Sequence, residues 1–513
     1  MTIENQAFFS VFRNIVLKNE IFGLVSAISK TEGRKAFSYQ LATVTFMCDN
    51  EHYGLLRDKL LLDPKRQEYL PLVYTDANLK LIASNVEDLE VFKIVFEQET
   101  EQFVTHGALC IDFAAANKNI EVLKYVDTHP LKLAATTEAM DKAARAGLVA
   151  NLEYLQNNRT EGATCRALEY AADKGNREVI EWLFEHRTAK DGLGCAVDGA
   201  ARSGHFDIVK LLTERDPVNG ASARAIDHAA QGHMEIVEYL LTNRSEFCTK
   251  DAITNAAQSG RLDLVKLLHK HNAPATRDAM DSAARLGLID IVKFLHENRV
   301  EGCSDSSIGF ACMSKHAEVA KYLIENDYPG TVHAMNNAAF VGDLEIVKLL
   351  HKKDYKCNQF AMDLAAQNGH LDIVEFLHIN RTEGCTKRAM DLAALKGFLG
   401  VVQFLHFNRA EGCSVDAMDM AAHCGHFEVI QFLHANRTEG CTALALSSAV
   451  LHGRRTIVEF LVENRAELTV PRNTLPNEEK YPNIHSYLNA KREQSKSVKG
   501  TTQKARRNSV EFA

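Results

Sequence analysis

The chain repeats itself. "AAQNGHLDIVEFLHINRTEGC" (Ala365–Cys385) returns 28 residues later as "AALKGFLGVVQFLHFNRAEGC" (Ala393–Cys413). A pair of small residues ahead of "xxGH" serves as a ruler. Its second member falls at Ala115, Ala144, Ala172, Ala201, Ala230, Ala257, Ala284, Cys312, Ala339, Ala366, Ala394, Ala422 and Val450, at intervals of 27–29 residues. A weaker unit, "LIASNVEDLEVFKIVF", precedes them with Ser84 in the ruler position. A fixed period over this much chain is the signature of a solenoid, in which each unit contacts its neighbours and cannot bury its apolar faces alone.

Each unit reads as two short helices. In "TKRAMDLAALKG", Ala389, Met390, Ala393 and Ala394 recur at helical spacing. Thr386 stands at the N-cap, as do Thr136, Thr164, Ser222, Thr249, Thr276, Ser304, Thr331, Asn358, Ser414 and Thr442 in their units. Gly397 stops the helix, since glycine accepts the left-handed C′ conformation. The second helix, "LDIVEFLHIN", gathers Leu371, Ile373, Val374, Phe376 and Leu377 into an apolar stripe, and Arg381 follows it. The alanine pair lets the first helix lie close to its neighbours on both sides. Two units depart from the pattern: Ala230 is followed by "QGH", one residue short, and Lys315 stands where Gly is expected. Both are read as places where the stack bends.

The segments "GHLDIV" (Gly369–Val374), "GHFDIV" (Gly204–Val209), "GHMEIV" (Gly232–Val237) and "GHFEVI" (Gly425–Ile430) resemble the core of the ankyrin repeat. The resemblance covers about residues 79–465 and implies an all-α helical solenoid. These units are about five residues shorter than the usual ~33, which implies short loops in place of hairpin fingers. The family's "TPLH" opening is replaced by "AMD", as in Ala361-Met362-Asp363. The resulting Asp column (Asp112, Asp141, Asp198, Asp227, Asp281, Asp363, Asp391 and Asp419) is expected to replace the hydrogen bonds of the family's His. Neighbouring N–H groups or the Arg column would supply its partners.

The domain reading follows. Residues 1–78 match the period poorly and form an N-terminal helical cap or, alternatively, a separate domain. The solenoid spans 79–465, a C-terminal cap or linker 466–490, and a basic disordered tail 491–513. That tail holds seven Lys or Arg and two Glu, so it carries +5 and the rest of the chain −13 of the total of −8. An acidic body argues against nucleic-acid binding. No apolar run approaches the ~18 residues of a membrane span, and the N-terminus lacks the apolar core of a signal peptide. The expected setting is therefore cytoplasmic, with reduced cysteines.

Candidate chemistry dissolves into the period. Cys303, Cys357, Cys385, Cys413 and Cys441 recur once per unit, too far apart for disulfides or a shared zinc, and read as small buried loop residues. His269, His296, His351, His378, His406 and His434 also recur once per unit and read as amphipathic surface positions. The sequons at Asn158, Asn243, Asn380 and Asn436 are products of the repeat. No phosphate loop, HExxH or GxSxG is present, and no catalytic, cofactor or metal site is expected.

The reading is a non-enzymatic, monomeric scaffold that binds a protein along the concave face, without nucleic acid or membrane. The alternative is an adaptor that recruits an enzyme, such as a ubiquitin ligase, through 1–78. The position after the small pair is polar in most units, but reads Met313 and Phe340 in two, with Leu286 and Val341 beside them. These four are either packing in an irregular region or an exposed partner-binding patch. In the tail, "KARRNSV" presents Ser509 as a basophilic-kinase site. The Arg column (Arg159, Arg187, Arg244, Arg299, Arg381, Arg409, Arg437, Arg465) is expected to form inter-unit ion pairs or hydrogen bonds, with the Asp column or the Glu two residues on, such as Glu383, at exposed sites.

Overall fold

The computed structural model describes residues 44–49, 52–62, 74–105, 110–186, 193–215, 222–243, 248–465 and 481–492. They fall into two compact units, Met1–Ala252 with Lys270–Ala273, and Ile253–His269 with Pro274–Ala513. Among the described residues there are helices and no strands. No helix among them is long and apolar enough to cross a membrane.

The helix pairs follow the sequence period. In the first unit they include Glu138–Ala146 with Val149–Asn158, and Arg166–Lys174 with Arg177–His186. In the second, Gln359–Gln367 pairs with Leu371–Asn380, Lys387–Lys396 with Leu399–Asn408, and Asp416–Cys424 with Phe427–Asn436. Ala393 and Ala394 are fully buried, as are their equivalents Ala365, Ala366, Ala421 and Ala422. With no side chain beyond Cβ, neighbouring first helices approach closely, while neighbouring second helices pack more loosely. Val374, Leu377, Val402 and Leu405 fill the space between the two layers.

The tie between repeats lies at the start of each first helix. Asp363 accepts the N–H of Thr386 at 2.8 Å and its hydroxyl at 2.6 Å, from the next repeat. The Thr386 hydroxyl in turn caps its own helix, accepting the N–H of Arg388 at 3.2 Å. The same relay joins Asp112 to Thr136, Asp141 to Thr164, Asp198 to Ser222, Asp227 to Thr249, Asp391 to Ser414 and Asp419 to Thr442. Asp281 takes the N–H of Ser304 and the hydroxyl of Ser307 instead. Of the two partners expected for the Asp column, the neighbouring N–H groups are the ones it takes. Burial pushes the carboxyls of Asp198, Asp227, Asp363 and Asp391 upward, opposed by these bonds.

The "GH" signature has a matching cause. Gly397 sits at φ +80°, and its N–H and that of Phe398 close the helix on Ala394 and Ala393. A Cβ at Gly397 would lie 2.4 Å from the ring of His426, the next repeat's "GH" histidine. Glycine is therefore needed both for its backbone and for its missing side chain. In other units the same ring donates Nε2–H to the preceding first helix, His205 to Asp173 O at 3.2 Å and His370 to Phe340 O at 3.3 Å.

Both irregular units show their irregularity as a shortened first helix, Ala223–Ala229 and Ser307–Met313, seven residues each. Lys315 keeps the left-handed turn at φ +63° without glycine. The residue that would pack on it is Asp343 rather than His, and Asp343 caps its own helix by accepting the N–H of Ile346 at 3.1 Å. A smaller neighbour thus accompanies the larger residue.

Two outcomes are expected. Asp391→Ala strips two bonds from Ser414 inside a buried site and should cost about 2 kcal/mol, with Asp391→Asn costing less; amide exchange at Ser414 and urea unfolding measure both. Lys315→Gly relieves the left-handed backbone and should stabilise the chain by about 1 kcal/mol, read as a rise in melting temperature.

Candidate interaction surface

Two surfaces stand out: the loops that follow each second helix, built largely on a recurring motif, and the exposed side of the first helices, whose residues vary between repeats.

The loops carry "NRxEGC". The Asn starts the exit by donating to its own helix, Asn380 to Phe376 O and Asn436 to Phe432 O, both at 2.8 Å. This C-terminal bond explains why the sequon recurs. The Arg then pairs with the Glu two residues on, at 2.7 Å for Arg159–Glu161 and 2.6 Å for Arg299–Glu301 and Arg381–Glu383. Arg409–Glu411 and Arg437–Glu439 form the same pair. Of the two expected partners, the Glu is the one these five Arg side chains take, and the pair closes within one loop rather than between repeats. The expectation of exposed sites is corrected: the Arg381 side chain is 14% exposed. The reason is the following repeat. A Cβ at Gly384, whose φ is +75°, would lie 2.4 Å from the Arg409 guanidinium, and Arg437 lies in the same way on the loop of Gly412, so the next repeat's Arg covers the loop. Glu411 reaches back as well, accepting the Cys385 N–H at 3.4 Å. Arg159 also bridges repeats, to Asp127 at 2.8 Å. Arg187 and Arg244 lie outside the described residues.

Two loops replace this device. In "NDYPG" and "KDYKC" the Arg gives way to Asp327 and Asp354, both left-handed at φ +56° and +58°, followed by a tyrosine. The Tyr328 hydroxyl meets His296 Nδ1 at 2.7 Å, and the Tyr355 hydroxyl donates to Tyr328 O at 2.5 Å.

The cysteine column is structural. Cys303, Cys385 and Cys413 are buried, Cys357 and Cys441 half-buried, and all twelve cysteines are free. Cys248 belongs to the same column. Burial pushes the Cys385 thiol up to about 12 and those of Cys248, Cys303 and Cys413 to about 11. The histidine column is corrected. These rings are not surface positions; each is half-buried and packs at a steep angle against the next repeat's second helix. His351 meets Phe376 and His378 meets Phe404 with centroids 5.5 Å apart, and His406 meets Phe432 at 5.4 Å. The signal was present in "FLH": the Phe of one repeat receives the His of the one before. Among the described residues, no group of three or more His, Cys, Asp or Glu is placed to share a metal ion.

The first-helix face is formed by the residues two before and one after the ruler position, three apart and on one side of the helix. In the first unit it is charged and satisfied internally. Arg202 pairs with Asp173 at 2.7 Å across repeats, Glu138 pairs with both Lys142 and Arg166, and Arg145 lies over the Tyr170 ring at 5.4 Å. In the second unit, from Phe310 to Leu451, these positions hold no Lys, Arg, Asp or Glu. Phe310 and Met313, Leu392 and Leu395, and Met420 supply an apolar stripe, all at least partly accessible.

The four residues singled out in the sequence sit at the C-terminal ends of adjacent first helices. Met313 and Leu286 are exposed, Phe340 and Val341 half-buried. Sequence reasoning used only the column after the ruler. The parallel column containing Phe310, Leu392 and Met420 was legible by the same comparison between units. Ser509 lies outside the described residues.

Four matches to a model described as ankyrin repeats (3 copies), in two overlapping pairs, cover residues 168–251, 229–306, 308–391 and 334–419. The chain thus belongs, across these residues, to the ankyrin-repeat family. Among solved structures, the human ASB11 ankyrin repeat domain is similar at 19% identity, covering 41% of this chain and 96% of that one, with a TM-score of 0.27. The maize pentatricopeptide repeat protein PPR10 gives a TM-score of 0.33 at 11% identity, over 91% of this chain and 86% of its own. A comparison with curated proteins finds no match.

The Arg–Glu loops set a pH response. The Arg437 hydrogen bond holds the Glu439 carboxyl down at about 2, and Arg381 lowers that of Glu383 in the same way. A carboxyl lowered on folding contributes stability above its unfolded pKa, ~4.3, and loses that contribution as pH falls through its folded value. Relative to the native chain, a Glu383→Gln, Glu439→Gln double variant should therefore be less stable at neutral pH, with the gap narrowing as pH falls from about 4.5 toward 2. Denaturant titrations at stepped pH measure the gap.

Proposed function

We propose that the chain is a non-enzymatic scaffold that binds a protein partner on the first-helix face of its second unit. Ankyrin repeats are generally protein-interaction modules, and the family match is to such a repeat rather than to a catalytic family. One observation carries the assignment to this face. The first unit satisfies its own charges there, while the second leaves large apolar side chains accessible, with Met313 50% and Leu451 58% exposed. Accessible apolar side chains on one continuous face are what a partner desolvates, and a few well-buried anchors supply most of the affinity.

Leu286, Met313, Phe340 and Val341 form the N-terminal part of this surface. The test is cross-linking of the full chain to its partners in extract, followed by mass spectrometry. Met313→Asp and Phe340→Asp should each weaken capture of the same proteins by about tenfold, with the melting temperature nearly unchanged. Capture unaffected by either change places binding elsewhere. A large loss of stability in Phe340→Asp alone identifies that ring as packing, with Met313→Asp still deciding the reading.

A further inference from the structure

We propose that Cys165 and Cys195 form a reversible disulfide, driven by hydrogen peroxide, that staples two adjacent repeats of the first unit.

Of the twelve cysteines, these two alone are exposed. They stand outside the loop column, at the starts of adjacent first helices. The position of Cys195 holds Glu138, Arg166, Arg224 or Arg388 in other repeats, so no packing role in the common pattern calls for a thiol there. The joint between these two repeats also lacks the usual tie. Glu169 stands in the Asp column and Leu193 at the N-cap position, so the carboxylate–hydroxyl relay has no hydroxyl to use.

Equivalent positions in stacked helices lie about 8–10 Å apart, too far for a disulfide. Cys165 and Cys195 are not equivalent, and their helices, Arg166–Lys174 and Leu193–Ser203, pack more extensively than any other helix pair among the described residues. Gly199 is the reason. A Cβ there would lie 3.4 Å from the Glu169 carbonyl oxygen and 3.5 Å from the Asp173 Cβ, so Gly199 fills the notch between Glu169 and Asp173. That last separation falls in the ~3.5–4.5 Å range that Cβ atoms span in disulfides. Arg202 meets Asp173 at 2.7 Å beyond it, so the two helices run the same way. One turn earlier on each helix, Cys195 comes to the notch between Cys165 and Glu169. The Cys195 thiol registers both neighbours: desolvation raises it most, Glu169 and Asp198 follow, and Cys165 adds to the shift.

The chemistry takes two steps. The Cys165 thiolate attacks one oxygen of the peroxide, the O–O bond breaks, and the departing hydroxide takes up a proton as water, leaving a sulfenic acid. The Cys195 thiol then loses its proton and its sulfur attacks that of Cys165, expelling hydroxide as a second water. Two electrons pass from the thiol pair to the peroxide. The raised thiol of Cys195 is the slower to ionise, so the first attack falls to Cys165. A dithiol reductant reverses the bond by exchange. The disulfide closes residues 166–194 into a loop and fixes the starts of two first helices, so the oxidised chain resists unfolding.

The test treats the full chain at micromolar concentration with hydrogen peroxide, then alkylates and digests it without reduction for mass spectrometry. The peptide that holds Cys165 should be recovered joined to the one that holds Cys195. The link should vanish after dithiothreitol, and in Cys165→Ser or Cys195→Ser. Oxidation should raise the melting temperature of the native chain by several degrees and leave both variants unmoved. Reduced variants that melt with the reduced native chain establish that the substitutions do not disturb the fold. Thiols that stay free under peroxide, thiols oxidised separately without a link, or links found only between chains overturn the proposal.

Discussion

The Asp carboxylate near the start of the first helix, present in eight of the repeats, is the interaction on which the stack most depends. A 28-residue unit cannot cover both of its apolar faces, so its stability comes from neighbours. The Asp–hydroxyl relay makes that dependence specific. One carboxylate receives a backbone N–H and a side-chain O–H from the next unit, and the same hydroxyl caps the next helix. Helix start and repeat spacing are thereby set by one group. A burial cost remains, visible in the raised carboxyls of Asp363 and Asp391, and two donors per carboxylate offset it.

The loops add a second tie, on the other side of the helix pair. Arg and Glu close a pair within one loop, yet the guanidinium lies against the glycine of the loop before it. Arg, Glu and Gly therefore occur together. Where they are absent, Tyr328 and Tyr355 bridge adjacent repeats through their hydroxyls. The histidine column closes the second-helix layer with aromatic contacts, so three residue columns that look unrelated in sequence all bind one repeat to the next.

With the scaffold accounted for, the remaining variation falls on the exposed side of the first helices. Charge there in the first unit is spent on contacts between its own repeats, as in Arg202 with Asp173. Apolar residues in the second unit find no such use within the chain's own pattern. Ankyrin repeats are generally protein-interaction modules.

The period, the two helices per unit, the N-caps, the C′ glycines and the buried alanines were legible in the sequence because each is set by local backbone chemistry. Thr386 caps and Gly397 turns through their own repeat's backbone, and Ala394 is small because repeated stacking needs a small residue there whatever the neighbour's detail. The resemblance to ankyrin repeats rested on the same local signals. Legibility ended where a side chain's partner comes from the next repeat. The Asp column was seen, but its choice between backbone donors and the Arg column depended on how one helix start sits over another. His378 looked like a surface residue until Phe404 covered it, and Arg381 looked exposed until its place between loops was known. The sequence by itself determined the repeat and its local geometry. Only the tertiary structure decided which polar and aromatic columns are buried, because burial there is created by a neighbour about 28 residues away, and the hydrogen bonds follow from it.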